Sequence, residues 1–61
     1  MKPKVKLVGE NGNIFNLMGI ASKVLTEAGK KDQADEMVGK ITQSKSYDAA
    51  LQVLMEYVEV E

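Results

Sequence analysis

The stretch of sequence that decides the fold is Ile14–Ala28, which reads IFNLMGIASKVLTEA. Apolar residues recur in it every three or four positions, and this spacing places their side chains on one face of an α-helix. The members of that face are Ile14, Leu17, Met18, Ala21, Leu25 and Ala28. Because Phe15, Ile20 and Val24 widen the apolar arc, the helix is predicted to contact more than one neighbouring element.

The residues on either side of this stretch indicate where the helix starts and stops. The Gly9–Asn13 segment is a turn by composition, and Asn11 or Asn13 can accept a hydrogen bond from a free backbone N–H at the helix start. Gly29 follows the last periodic residue and indicates the C-terminal end. Gly19 lies inside the helix, where it costs about 1 kcal/mol relative to Ala. We expect the close approach of another backbone to explain it.

Two further helices are predicted downstream. Asp32 is the predicted cap of the second helix, whose apolar face carries Ala34, Met37, Val38 and Ile41. Ser46, with Asp48 two residues later, is predicted to start the third helix. Its buried face is predicted to be made of Tyr47, Ala50, Leu51, Leu54, Met55 and Val58.

The two ends of the chain alternate charged and apolar residues. Lys4–Val8 has the period of a half-buried strand. Val58–Glu61 alternates in the same way, and it is either the frayed end of the third helix or a second strand. Charge favours the strand, because Lys4 and Lys6 would meet Glu59 and Glu61 across a pair of strands. The sequence therefore predicts one helix-dominated α+β domain over residues 1–61, with the order β-α-α-α-β.

Composition excludes several classes of function. The chain has 61 residues, eight of them basic and nine acidic, and no Cys or His. It therefore has no disulfide, no thiolate or imidazole metal ligand, and no global attraction to nucleic acid or anionic lipid. No apolar run approaches the roughly 20 residues of a membrane span. We expect a cytoplasmic protein that is not an enzyme and holds no cofactor or metal.

Two local clusters are candidate sites and also have simpler structural explanations. The Gly9–Asn13 turn leads into a helix start, where backbone N–H groups can hold an anion. Its spacing fits neither a Walker motif nor a dinucleotide fingerprint, so a turn and cap is the favoured interpretation. Asp32, Asp35 and Glu36 lie on one helix face, but they are favoured as acidic residues that stabilise a helix N-terminus rather than as metal ligands.

Four short motifs in order along the chain form a familiar combination. They are Val8-Gly9-Glu10-Asn11-Gly12-Asn13 followed by Phe15, then Leu25 with Ala28-Gly29, then Tyr47-Asp48 with Leu51, and finally Tyr57-Val58-Glu59-Val60. In this the chain resembles a group of small bacterial proteins that are common in phages and other mobile elements. The residue before Gly12 is often Asp in that group and is Asn11 here. The resemblance implies a bacterial or mobile-element accessory protein and carries over no catalytic or binding residues.

The function predicted from these observations is docking onto another protein or onto a second copy of the chain. Phe15 and Tyr57 are predicted as exposed apolar contacts, with Glu10 and Asn11 of the turn as further contacts. The alternative is a small DNA-binding regulator of helix–turn–helix type that uses Lys30, Lys31, Lys40 and Lys45. The absence of Arg counts against that alternative, because Arg makes the commonest specific base contact.

Overall fold

Three helices form the body of the protein, and a two-stranded sheet joins its two ends. The computed structural model describes all 61 residues. The elements are β1 (Lys4–Val5), α1 (Ile14–Glu27), α2 (Lys31–Thr42), α3 (Tyr47–Tyr57) and β2 (Glu59–Val60). The predicted helix-dominated β-α-α-α-β order is therefore confirmed. None of the helices has the length and apolar composition that crossing a bilayer requires.

The ends of α1 and the start of α3 follow the predicted capping residues. The Asn13 side chain accepts a hydrogen bond from the Phe15 backbone N–H at 2.8 Å. Gly29 has a φ of 78°, and this left-handed conformation lets the Lys30 N–H reach the Leu25 carbonyl at 2.8 Å. The Ser46 hydroxyl accepts from the Ala49 N–H at 3.1 Å and so caps α3.

The predicted cap of α2 is wrong. Lys30, not Asp32, precedes the helix, and no side chain caps it. The reason is the tight turn at Gly29, which leads directly into α2, so that the Lys30 carbonyl already accepts from the Ala34 N–H at 3.0 Å. Asp32 consequently lies inside the first turn, where its charge still faces the positive end of the helix dipole.

The sheet is parallel and much shorter than the sequence pattern indicated. Lys4 lies opposite Glu59 and Val5 opposite Val60. The Glu59 N–H donates to the Pro3 carbonyl at 2.8 Å, and the Glu61 N–H donates to the Val5 carbonyl at 2.9 Å. The predicted strand ran to Val8, but β1 ends at Val5 because the chain turns where the Glu10 N–H bonds the Leu7 carbonyl.

The core contains eleven buried residues, drawn from all three helices and from both ends of the chain. They are Val5, Leu17, Ala21, Leu25, Ala34, Met37, Ile41, Ala50, Leu54, Tyr57 and Val58. The predicted faces of α1 and α2 are largely confirmed, whereas that of α3 is partly wrong. Met55 is exposed because the inward face of α3 follows the spacing Ala50, Leu54, Tyr57. Tyr47 continues that face toward the start of the helix but is exposed there as its first residue, and Val60 of β2 is also exposed.

The register of the sheet generates a test of its charge pairing. We expect Lys4→Glu to lower the free energy of unfolding by roughly 0.2–1 kcal/mol, because it places two carboxylates opposite each other. Glu59→Lys in the same chain should restore part of that loss, as measured by urea unfolding. Combining Lys4→Glu with Glu27→Lys is the control. If the change in unfolding free energy of each double variant equals the sum of the changes in its two single variants, Lys4 and Glu59 do not interact.

The glycines of the helices generate a second test. A Cβ added at Gly19 or Gly39 would meet no atom within 4 Å, so the predicted close approach at Gly19 is wrong. Gly19→Ala and Gly39→Ala should each raise the free energy of unfolding by about 0.8–1 kcal/mol, because Gly weakens a helix interior. Gly29→Ala, at a positive φ, should lower it by roughly 1–2 kcal/mol. Equal changes in unfolding free energy at all three positions would contradict the distinction between the two helix-interior glycines and the glycine with a positive φ.

Candidate binding groove

A groove of about 270 Å³ lies at the end of the helical body where α1 begins, α2 ends and α3 begins. These three points meet because each connection between helices is short and reverses the direction of the chain. Ile14 and Phe15 of α1 line it, together with Tyr47 and Ala50 of α3. Ile41 and the Ser44–Ser46 turn complete it. We call this surface the aromatic groove.

The two aromatic side chains of the groove are both accessible to solvent. Phe15 is 62% exposed and Tyr47 is 47% exposed. Phe15 is the second residue of α1 and lies two residues before the buried Leu17, about 200° around the helix from it, so its side chain does not point into the core. Its predicted exposure is confirmed. Tyr47 was predicted to be core, yet it is the first residue of α3 and lies above the last layer of packed side chains.

The position of Tyr47 is fixed by a contact with a residue 35 positions away. Its hydroxyl donates a hydrogen bond to the Gly12 carbonyl at 2.5 Å, which ties the start of α3 to the turn that precedes α1. A Cβ on Gly12 would lie 3.7 Å from that hydroxyl, so the turn and the ring are in close contact. A ring that is already held in place loses little conformational entropy when a partner covers it.

Glu10 and Asn11 lie in the turn but do not line the groove. The Asn11 side chain accepts from the Asn13 N–H at 2.8 Å, and the Asn11 carbonyl accepts from the Asn16 side-chain amide at 2.8 Å. Gly9, with a φ of 84°, supplies the left-handed residue that the turn needs. Asn11 and Asn13 are thus engaged in building the turn and the helix cap, as the simpler of the two interpretations predicts.

Lys45 is the only charged residue among those that line the groove. It takes part in none of the three ion pairs of the protein, which join Lys31 to Asp35 and Lys40 to both Glu36 and Glu56. Asp48 is the nearest acid in sequence, but it does not line the groove. The groove therefore combines apolar walls with one unpaired cation.

Tyr57, the second predicted partner contact, is buried rather than exposed. Its ring belongs to the inward face of α3, and its hydroxyl donates to the Glu36 carboxylate at 2.5 Å. The Lys40 ammonium lies 5.4 Å from the centre of the ring and 3.8 Å from both Glu36 and Glu56. The four side chains link α2 to α3, so Tyr57 has a structural role. The sequence does contain a signal for this burial, because the spacing of Tyr57 from Leu54 and Ala50 places it on the inward face of α3.

This link also shifts the protonation equilibria of two of its members. The hydrogen bond to the Glu36 carboxylate, together with burial, raises the pKa of the Tyr57 hydroxyl, and these effects outweigh the opposing influence of Lys40. Interaction with Tyr57, assisted by Glu56 and Glu36, raises the pKa of Lys40. Both shifts favour the protonated forms that make the contacts seen in the structure.

The lysines proposed for DNA binding do not form one patch. Lys30 and Lys31 lie at the start of α2, and Lys40 and Lys45 lie at or beyond its end. With a rise of about 1.5 Å per residue, the ends of this helix are roughly 16 Å apart. Lys31 is also paired with Asp35 at 3.1 Å. A shared basic patch would require the two turns that flank α2 to lie near one another, and the length of the helix separates them.

Two acidic residues of α2 contact other side chains of the protein. Asp35 accepts from Lys31, and Glu36 accepts from Tyr57. No group of three or more acidic side chains is arranged to hold a metal ion. A second, smaller groove of about 250 Å³ lies beside β2, where the Lys2 ammonium donates to the Met55 carbonyl at 3.0 Å.

Comparison with family models, curated proteins and solved structures found no match to this chain. The functional argument therefore depends on the geometry of the two grooves. The aromatic groove has two exposed rings on its walls, whereas the groove beside β2 has the thioether of Met55 and the branched side chain of Val60. Aromatic side chains dominate the energetics of protein interfaces, so the aromatic groove is the stronger candidate site.

The Tyr57–Glu36 hydrogen bond generates a prediction about pH. Because the folded-state pKa of Tyr57 is raised, its contribution to stability is complete below the unfolded pKa of about 10 and is lost as the pH rises through the folded value. Tyr57→Phe should therefore be less stable than the wild type at pH 7, and the difference should shrink above pH ~10.

Urea unfolding at pH 7, 9 and 11 measures this difference. Glu36→Gln is the matched variant, because its amide still accepts a hydrogen bond but lacks the charge that disfavours the phenolate. It should show less of the alkaline loss than the wild type. A Tyr57→Phe difference that stays constant from pH 7 to 11 would contradict the assigned role.

Proposed function

We propose that this protein is a non-enzymatic binding module that docks the aromatic groove onto another protein. The observation that carries the proposal is the pair of exposed rings, Phe15 and Tyr47, that line one concave surface. Each square ångström of apolar surface removed from water contributes about 25 cal/mol. In a chain of 61 residues, two large rings left outside the core are a substantial part of the available apolar surface.

The chemistry of the groove supports binding rather than catalysis. Of its lining residues, Lys45 and Tyr47 alone have side chains that ionise, and no carboxylate lines it. A pair of groups that exchange a proton with a substrate, such as two carboxylates or a base beside a nucleophile, is the usual basis of general acid–base catalysis. Its apolar walls and polar rim are instead typical of a protein interface.

The motifs of the chain support a setting for this module. Two of the four motifs that carry its resemblance to small bacterial and mobile-element proteins meet beside the groove, where the Tyr47 hydroxyl donates to the Gly12 carbonyl. We therefore place the module in a bacterium or a mobile element, in the cytoplasm, as an accessory to a larger partner. Self-association through the same groove is a variant of this proposal.

The DNA-binding alternative has less support. Its four lysines are divided between the two ends of α2, and Lys31 and Lys40 are paired with carboxylates of the same helix. Binding of this kind depends on several cations that meet the phosphate backbone together and so weakens steeply with salt. A shift of duplex DNA at low salt that disappears in Lys45→Gln and Lys31→Gln would favour the alternative.

The proposed function predicts that partner binding is sensitive to Phe15 and insensitive to another exposed apolar residue outside the aromatic groove. Wild type, Phe15→Ser and Met55→Ser would be immobilised and exposed to an extract of a bacterial host. The retained proteins would be quantified, and the affinity of each purified candidate would then be measured by calorimetry. We expect Phe15→Ser to weaken binding at least about tenfold, as loss of an aromatic hot spot does.

Met55→Ser is the control, since Met55 is 41% exposed and belongs to the groove beside β2. Both substitutions lie outside the core, so the thermal midpoints of the variants should stay close to that of the wild type. A partner retained equally by all three proteins would show that the aromatic groove is not its docking site. Sedimentation of the free protein over a range of concentrations detects self-association.

A further inference from the structure

Lys45 gives the aromatic groove a charge that no residue of this chain neutralises. It lies in the turn between α2 and α3, it is exposed, and it belongs to none of the three ion pairs. No carboxylate lies among the residues that line the groove, and Asp48, the acid nearest to Lys45 in sequence, is not one of them. Asp35 and Glu36 of α2 make their contacts with Lys31, Lys40 and Tyr57 instead.

The backbone around the groove leaves few acceptors to balance this cation. The last carbonyls of α2 lie at the same end, but those of Gly39, Lys40 and Ile41 already accept hydrogen bonds from Thr42, Gln43 and Ser44. The Gly12 carbonyl accepts from Tyr47. The side chain of Lys45 is thus free to meet a negative group that approaches the groove from solvent.

The size of the groove limits what enters it. Its volume of about 270 Å³ lies below the range of roughly 300–1,000 Å³ that holds a drug-sized ligand. A groove of this volume has room for one large apolar side chain in contact with Phe15 and Tyr47, but not for the several anchor residues of a helix face. A partner that fills it therefore presents a short segment rather than a broad surface.

From these three features we propose that the aromatic groove binds a short partner segment in which an aromatic or large aliphatic residue is flanked by Asp or Glu. The apolar residue enters between Phe15 and Tyr47, and the carboxylate beside it pairs with Lys45. This inference rests on the proposed function, because it names the chemistry of the partner that the same groove would take. The complementarity of an unpaired cation to a carboxylate is the argument for an acidic segment over a basic one.

The test uses three capped tripeptides and nuclear magnetic resonance, which measures the weak affinities that such short probes have. The peptides contain a central Phe flanked by two Glu, two Gln or two Lys residues. Each is titrated into ¹⁵N-labelled protein, and the amide shifts of Phe15, Lys45 and Tyr47 report where it binds. We expect the Glu peptide to bind about threefold more tightly than the Gln peptide, as an exposed ion pair allows, and the Lys peptide to bind most weakly.

Variants of the lysine separate a local effect from an effect of net charge. Lys45→Gln should remove the preference among the three peptides, and Lys45→Glu should reverse it. Lys23→Glu changes the net charge by the same amount on an exposed part of α1 that does not line the groove, and it should leave the order unchanged. Added salt should reduce the preference in the wild type, because it screens exposed charges.

The outcomes distinguish this inference from the proposed function. If the three peptides bind the groove with equal affinity, or if Lys45→Glu and Lys23→Glu behave alike, the acidic preference is refuted while docking at the groove stands. If no peptide shifts the amides of the groove at millimolar concentration, the inference is refuted, and the Phe15→Ser comparison alone decides the function. Shifts at the same amides that depend on protein concentration without peptide would make a second copy the occupant and overturn the inference.

Discussion

The rest of the structure depends on the contact of one large apolar side chain from each helix at the centre of the body. Leu25 of α1, Met37 of α2 and Leu54 of α3 are all fully buried, and Val58 joins them from the connection to β2. A chain of this length buries only about 60% of the surface that its unfolded form exposes. It has no cysteine to form a disulfide, so these side chains, together with the helix caps, hold the three helices together.

The same constraint determines which residues stay outside. Each helix has three buried positions, and apolar residues outside them at a helix start remain in contact with solvent. Phe15 is exposed because it faces away from Leu17, and Tyr47 because it continues the buried face of α3 past Ala50. Both lie at the end of the body where α1 and α3 begin. The aromatic groove is therefore a direct consequence of three short helices joined by tight turns. In the proposed function, this groove is the surface that binds a partner.

The sequence predicted that Tyr47 is buried and Tyr57 exposed, and the structure shows the reverse. Tyr47 lies on the same helical spacing as Ala50 and Leu54, which indicates burial, and Tyr57 lies at the point where the pattern of α3 changes to that of a strand. Helical spacing defines the direction in which a side chain points, but not whether another element covers it there. At Tyr57 the helix α2 supplies that cover and the Glu36 acceptor, whereas the position of Tyr47 lies beyond the end of α2.

The sequence by itself determined the number and type of the elements, three of the helix-end residues and the exposure of Phe15. These features are local: Asn13, Gly29 and Ser46 act on backbone groups within a few positions of themselves. Only the tertiary structure decided the parallel sheet, the burial of Tyr57, the separation of the lysines along α2 and the meeting of Phe15, Tyr47 and Lys45 in one groove. Each of these depends on the direction in which the helices pack, and that direction follows from the whole core rather than from any short stretch of residues.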